Sequence, residues 1–130
     1  VTTPQLSAQK VATRVADMAK RSFIPLLGVV ENMSYFESGD GNRYNIFGKG
    51  GGDELSEKFG IPLLSKIPIS EDSIEESENG TPILLQNNKT PTKEAMQDLV
   101  NTIIKVLPPV SDETCTGRLA KVLEELEVEA

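Results

Sequence analysis

Residues 24–34 read IPLLGVVENMS, and this stretch decides the fold. Its first part, residues 24–30, is an unbroken apolar run that is too short for a typical helix. A run of this kind is typical of a parallel strand that is buried on both faces. The polar residues from Glu31 to Ser34 would then stand at the carboxyl end of the strand, which is the edge where open α/β sheets bind ligands.

The segments on either side alternate between helix and strand. Upstream, Ser7 can cap a helix that runs to about Arg21 and carries Val11, Val15 and Met18 on one stripe. The elements predicted downstream are a helix at 53–59 stopped by Gly60, a strand at 61–64, a helix at 70–80, a helix at 90–107 opened by Thr90 and Pro91, and an amphipathic helix at 118–130. This order predicts an α/β fold in which helices flank a mostly parallel sheet.

The chain divides by these patterns into an α/β domain at 1–107, a linker at 108–117 and the C-terminal helix at 118–130. Two predicted strands make a thin sheet, and the chain begins at Val1 without an initiator methionine. We therefore expect the N-terminal half of the fold, with the remaining strands, to lie upstream of Val1.

Composition narrows the classes of function. The formal net charge is -7, which works against a nucleic-acid partner because phosphate backbones are met by clustered lysine and arginine. The chain has no histidine, and Cys115 is its one cysteine, so neither serine–histidine catalysis nor a multi-cysteine metal site within one chain is expected. No apolar run approaches the roughly 18 residues of a membrane span, and we expect a cytoplasmic protein.

Two segments are candidates for a ligand site. Asn32 directly follows the buried strand, and its amide offers an acceptor and donors that could read the edge of an adenine ring. The alternative is that Asn32 only ties down its own loop. Ile67, Pro68 and Ile69 leave the second strand at the same edge of the sheet, where their backbone could contact a base; an ordinary strand-to-helix turn is the alternative.

The glycine-rich segment 47–52, FGKGGG, opens a helix and could be taken for a phosphate-binding loop. A P-loop needs a Lys-Ser or Lys-Thr pair at the start of the helix, whereas Asp53 and Glu54 stand there and would repel phosphate. We expect Gly50 to Gly52 to pack against a neighbouring segment instead.

A β-hairpin is predicted between 35–37 and 43–47, because the intervening SGDGN at 38–42 tolerates the positive backbone angles of a tight turn. Its aromatic residues would form a local mini-core or part of a partner surface.

Four strings together resemble the Mrp/ApbC family, namely VTTPQ at 1–5, GVVENMSYF at 28–36, IFGKGGG at 46–52 and Ile67-Pro68. Members of this family are ATP-binding iron–sulfur cluster carriers related to MinD and ParA, with a P-loop fold and a deviant phosphate-binding motif. The resemblance covers about residues 1–107 and implies the C-terminal part of such an ATPase. It also implies a homodimer, and ATP with magnesium as cofactors of the full-length protein.

By position, Asn32 matches the asparagine that reads adenine in the family, and Ile67, Pro68 and Ile69 match the stretch whose backbone lies along the base. The phosphate loop and the magnesium-binding acids would precede Val1, so this chain alone is not expected to hydrolyse ATP.

One departure from the family concerns the cluster. Many members carry Cys-x-x-Cys between the segments that match Phe36 and Ile46, where a bridging cluster is held across the dimer. Here residues 37–45 read ESGDGNRYN, so cluster carriage by this route is not expected, although some relatives also lack these cysteines.

Three functions remain open at this stage. The full-length protein could be a dimeric ATPase that carries or assembles iron–sulfur clusters for apo-protein clients. It could instead be a metal-free scaffold of the MinD or ParA kind, in which ATP switches dimerisation. The third is an α/β interaction domain with no nucleotide of its own.

Overall fold

The computed structural model describes residues 1–70, 80–85, 87 and 89–107. The interior of the helix predicted at 70–80, the linker at 108–117 with Cys115, and the helix predicted at 118–130 lie outside the described residues.

Helices and strands alternate as the sequence predicts. In chain order the elements are α1 (Leu6–Arg21), β1 (Val29–Glu31), β2 (Phe36–Glu37), β3 (Arg43–Tyr44), α2 (Gly51–Phe59), β4 (Leu63–Lys66), a 3₁₀ turn (Ile83–Leu85) and α3 (Pro91–Val106). None of the helices in the described ranges is both long and apolar enough to cross a bilayer.

The sheet is parallel, with β1 at its centre. β1 pairs in parallel with β4 on one side, and on the other side Thr2 forms a parallel bridge to Glu31. α1 and α2 pack together, and α2 also packs on both strands. The core beneath them consists of Ala16, Val29, Leu55 and Phe59.

The first strand is shorter than predicted, because regular pairing begins at Val29 rather than at Ile24. α1 ends in a turn in which Phe23 adopts a left-handed conformation with φ of 56°, and Ile24 N–H donates to the Ala19 carbonyl at 2.9 Å. Pro25, which follows, has no backbone N–H and cannot donate a hydrogen bond to a neighbouring strand. The second strand is likewise displaced, to Leu63–Lys66 from the predicted 61–64.

The predicted N-cap of α1 is wrong. The helix begins at Leu6 with Gln5 as N-cap and without a side-chain capping hydrogen bond. Its buried residues are Ala16 and Ala19, whereas the three larger apolar residues of the predicted stripe are exposed. Alanine has no side chain beyond Cβ, so this face of α1 can approach α2 closely.

Three further local predictions are confirmed, although α2 begins at Gly51 rather than at Asp53. α2 ends at Gly60, which is left-handed with φ of 64°. Thr90 caps α3 by accepting a hydrogen bond from Lys93 N–H at 3.2 Å, with Pro91 as the first helical residue. β2 and β3 form the predicted antiparallel hairpin.

Candidate functional site

The two segments predicted to form the ligand site lie side by side. Ile67 N–H donates to the Glu31 carbonyl at 2.8 Å, and Ser34 N–H donates to the Ile67 carbonyl at 2.9 Å. Ile69 N–H continues the pairing by donating to the Tyr35 carbonyl at 2.8 Å. Backbone hydrogen bonds therefore hold the Asn32 turn against the 67–69 segment at the carboxyl end of the sheet.

Asn32 occupies a strained turn at this edge. Its N–H donates to the Thr2 carbonyl at 2.8 Å, and its Oδ1 accepts from Met33 N–H at 2.9 Å. Met33 has φ of 54°, a left-handed conformation that costs a non-glycine residue about 1 kcal/mol or more. The side chain thus ties down its own loop, which was one of the two interpretations; the reading of adenine stays a prediction. Asn32 is half-buried, and in the part of the chain described here no hydrogen bond from its Nδ2 is found.

The 67–69 segment is firmly packed. Ile67 and Pro68 are buried, and the Pro68 carbonyl accepts from Thr92 Oγ1 at 3.2 Å, which joins the segment to the start of α3. A cavity of about 250 Å³ lies beside it, with Phe36, Pro68, Ile69 and Thr92 among its lining residues. Asn32 does not line this cavity, so the cavity itself does not unite the predicted site residues.

Glu31 is the residue at this edge that sequence reasoning missed. Its side chain is 1% exposed, and each carboxylate oxygen has a donor at 2.5 Å, Ser34 Oγ for Oε1 and Gly52 N–H for Oε2. A buried carboxylate requires such donors because it has given up its hydration. Nothing local reveals Gly52 as a partner, since it lies 21 residues away in the sequence.

Gly51 and Gly52 pack tightly against neighbouring residues, as expected from the sequence, whereas the nearest atom to a Cβ built on Gly50 is Asp53 Oδ2 at 4.0 Å. A Cβ built on Gly51 would lie 2.8 Å from the Pro4 carbonyl oxygen, and one built on Gly52 would lie 2.8 Å from Glu31 Cβ. The consecutive glycines at the start of α2 were the only feature of the sequence that indicated such close packing of the backbone.

Asp53 at the start of α2 is engaged by a cation rather than open to an anion. Lys66 Nζ donates to Asp53 Oδ2 at 2.7 Å, and this hydrogen bond is the main reason that the pKa of Lys66 is raised. The negative charges of Asp53 and, to a smaller extent, Glu31 raise that pKa further, against the lowering caused by partial desolvation of the amine.

A polar cavity of about 460 Å³ lies between the hairpin and the start of α2. Its lining residues are Glu31, Ser34, Tyr35, Arg43, Asn45, Lys49, Gly50, Asp53 and Lys66.

The hairpin is fastened by charged groups. Arg43 Nε donates to Glu37 Oε2 at 2.8 Å, which is the main cause of the raised pKa of Arg43, and its guanidinium lies 4.5 Å from the centre of the Tyr35 ring. Of the hairpin's aromatic residues, Tyr44 is exposed and Tyr35, Phe36 and Phe47 are half-buried, so the mini-core and the partner surface both stay predictions. Within the described ranges, no cluster of acidic, cysteine or histidine residues could hold a metal ion.

Comparison with known proteins identifies the family. The family model described as "ParA: NUBPL iron-transfer P-loop NTPase" matches residues 1–104. The chain belongs to this family. It is 39% identical over 104 residues to an iron–sulfur cluster carrier protein of Deinococcus radiodurans, covering 79% of this chain and 29% of that protein. It is 38% identical over 114 residues to the iron–sulfur cluster carrier protein of Pyrococcus horikoshii, covering 87% of this chain and 38% of that protein.

Solved structures agree with this family. A nucleotide-binding protein in complex with ADP from Archaeoglobus fulgidus matches with a TM-score of 0.54 and 38% identity, covering 62% of this chain and 33% of that one. The cell division ATPase MinD of Pyrococcus furiosus matches with a TM-score of 0.61 over 82% of this chain and 41% of its own, at 21% identity, which shows the shared fold alone. The chain therefore spans about a third of the length of these curated relatives, and its α/β layers match a portion of a P-loop fold.

Proposed function

We propose that this chain is the C-terminal part of a longer ATP-binding protein that carries or helps to assemble iron–sulfur clusters. The observation that carries the proposal is the pairing of the Asn32 turn with Ile67 and Ile69 at the carboxyl edge of a parallel sheet. Relatives over the same residues are named iron–sulfur cluster carriers, and one related structure holds ADP.

In this proposal the chain supplies the base end of the nucleotide site. The Asn32 amide reads the adenine edge, and the backbone of Ile67, Pro68 and Ile69 lies along the base. The glycine-rich segment is not assigned the phosphate end, since Gly51 and Gly52 are closely packed and Asp53 stands at the start of the helix. The phosphate loop and the magnesium-binding acids belong to the preceding part of the protein, and the full-length protein binds ATP as a homodimer.

The base-reading role is tested by Asn32→Ala in the full-length protein. Loss of hydrogen bonds to the base should weaken ATP binding by about tenfold and weaken GTP binding less, because in this proposal the amide is oriented to meet the donor and acceptor of the adenine edge. Fluorescence competition with both nucleotides measures the two affinities. Asn101→Ala, at an exposed position of α3, is the matched control. An unchanged preference for ATP in Asn32→Ala would remove the base-reading assignment.

Cluster carriage is tested by anaerobic reconstitution of the full-length protein with iron and sulfide. Absorption from thiolate-to-iron charge transfer, followed by transfer of the cluster to an apo-protein, is the expected result. In this experiment the cluster is the substrate that the protein transfers. The variant Cys115→Ser tests whether the Cys115 thiol is a ligand of the cluster. A protein that stays colourless and activates no apo-protein would contradict the carrier role.

A second candidate is a metal-free, nucleotide-switched dimer. The hairpin favours it, because the segment 37–45 is closed by the Arg43–Glu37 ion pair and contains no cysteine. The expected result is ATP-dependent dimerisation of the metal-free protein in sedimentation experiments, together with a negative cluster reconstitution. ATP-independent association would count against it.

A further inference from the structure

Glu31 connects three parts of the fold at one position. Its carbonyl accepts from Ile67 N–H at 2.8 Å, and its carboxylate joins Ser34 Oγ to Gly52 N–H. Gly52 is the second residue of α2, so the carboxylate links the turn after β1 to the N-terminus of that helix.

The link is short and closely fitted. Both side-chain hydrogen bonds measure 2.5 Å. Gly52 leaves no room for a larger residue, because a Cβ there would lie 2.8 Å from Glu31 Cβ and 2.9 Å from Leu63 Cδ1. The helix start therefore has little freedom to move relative to the carboxylate.

The turn that this link holds contains Asn32 and the left-handed Met33. Ser34 and Glu31 stand at its two ends, and their side chains are joined by the 2.5 Å hydrogen bond. A residue in the left-handed region relaxes when its surroundings allow, so the ends of the turn must be held for Asn32 to keep one orientation.

We infer that Glu31 is a positioning residue for Asn32. It acts by fastening the 32–33 turn to Ser34 and to the N-terminus of α2, which sets the direction of the Asn32 amide. This inference rests on the proposed base-reading role of Asn32. It also gives the glycine-rich segment its function, which is to bring a helix start within reach of the carboxylate.

The alternative is that Glu31 only stabilises the fold. A structural role would lower stability and the affinities for ATP and GTP together, whereas a positioning role changes the ratio of the two affinities. The ATP-to-GTP ratio of dissociation constants is therefore the readout, and it is compared with stability from thermal unfolding.

The experiment uses five variants of the full-length protein. Ser34→Ala removes one hydrogen bond from the link and should reduce the preference for ATP about threefold to tenfold. Ser56→Ala is the matched control, because Ser56 Oγ donates to the Ile61 carbonyl at 2.6 Å in the same region but away from the turn. Glu31→Ala should lose as much preference as Ser34→Ala or more.

Glu31→Gln is the rescue variant. A glutamine can accept from Gly52 N–H through its oxygen and donate to Ser34 Oγ through its nitrogen, so it should keep the ATP preference within about twofold of the parent. If Glu31→Ala does not fold, Ser34→Ala and Glu31→Gln still decide the question.

Asn32→Ala separates the two proposals. If it leaves the ATP preference unchanged, the base-reading assignment fails and this inference fails with it. If it lowers the preference while Ser34→Ala matches Ser56→Ala, the inference about Glu31 alone is overturned. A Glu31→Gln protein that loses as much preference as Ser34→Ala would overturn the hydrogen-bonded link.

Discussion

Glycine at position 52 is required by the space around it. Alanine there would place a Cβ 2.8 Å from Glu31 Cβ and 2.9 Å from Leu63 Cδ1, so the helix start or the strand would have to shift. We expect Gly52→Ala to lower the free energy of unfolding by about 1–3 kcal/mol, which outweighs the helix propensity that alanine adds. Urea denaturation of the full-length protein measures the change.

Gly39→Ala is the control for that substitution, since no atom lies within 4 Å of a Cβ built there. It should change the free energy of unfolding by less than about 0.5 kcal/mol. Equal effects at the two positions would show that close packing is not what makes Gly52 necessary.

Asp40 should titrate below the ordinary carboxyl value of 3.8, because Ser38 Oγ and the amide groups of Asn42 donate hydrogen bonds to its carboxylate and lower its pKa. A pKa that is lower in the folded state means that the group contributes stability above 3.8 and loses it as the pH falls through the lowered value. An NMR titration of the Asn42 amide should therefore show a midpoint below 3.8. Asp40→Asn should abolish this transition, and a midpoint at or above 3.8 would refute the prediction.

The sequence predicts the place of some residues of the candidate site but not of others. Asn32 is predictable because an amide directly after a buried strand stands at the sheet edge whatever the details of packing. Glu31 is not, because strands that end in an acid are common and its partner in α2 is distant in the sequence. Side-chain partners that long-range packing brings together leave no local pattern.

The C-terminus of α1 carries a left-handed residue that is not glycine. Phe23 N–H donates to the Lys20 carbonyl and Ile24 N–H to the Ala19 carbonyl, which is the hydrogen-bond pattern of a Schellman motif. Phe23 is 95% exposed and has φ of 56°, so its ring gains no packing to offset the strained backbone.

Phe23→Gly should raise the free energy of unfolding by about 1 kcal/mol, since glycine avoids the left-handed penalty at the cost of more entropy in the unfolded chain. Phe23→Ala removes the ring but keeps Cβ, and it should give no such gain. Thermal unfolding compares the three proteins; a gain in Phe23→Ala equal to that in Phe23→Gly would assign the effect to the ring instead.

The ends of elements that are marked by a proline or a glycine were predicted correctly. The ends of elements that were predicted from an apolar run alone were not. The proline at 91 and the glycine at 60 mark where α3 begins and α2 ends, because each restricts or frees one backbone angle. The apolar run at 24–30 does not show where pairing starts. That point depends on the turn after α1 and on Pro62, whose carbonyl accepts from Val29 N–H at 2.8 Å.

On the scale of the whole molecule, an apolar groove runs beside α1. It has a volume of about 450 Å³. Most of its lining residues come from the N-terminal segment 1–3, from α1 and from β1, and they include Val1, Val11 and Val15. Val11 and Val15 are 60% and 56% exposed within the described residues. If the chain is part of a longer ATPase, we expect the rest of that domain to cover the groove.

Val15→Asp tests this expectation in the full-length protein. A covered site would be destabilised by about 2 kcal/mol, because the carboxylate would be buried without a partner. Arg14→Gln, at an adjacent exposed position on α1, lowers the net charge by the same one unit and should cost less than about 0.5 kcal/mol, so it controls for the change in charge. Small and equal effects of the two substitutions would mean that the groove stays open to solvent.

The bonding around Glu31 also has a consequence for amide exchange. The N–H groups of Asn32, Ser34, Ile67 and Gly52 all donate across the same junction, to Thr2, Ile67 and Glu31. None can open without disturbing the others, so the four should exchange with deuterium as one cooperative unit with a shared opening free energy. The Asn32 turn would then open on the slow timescale of local unfolding rather than with the fast motions of a surface loop.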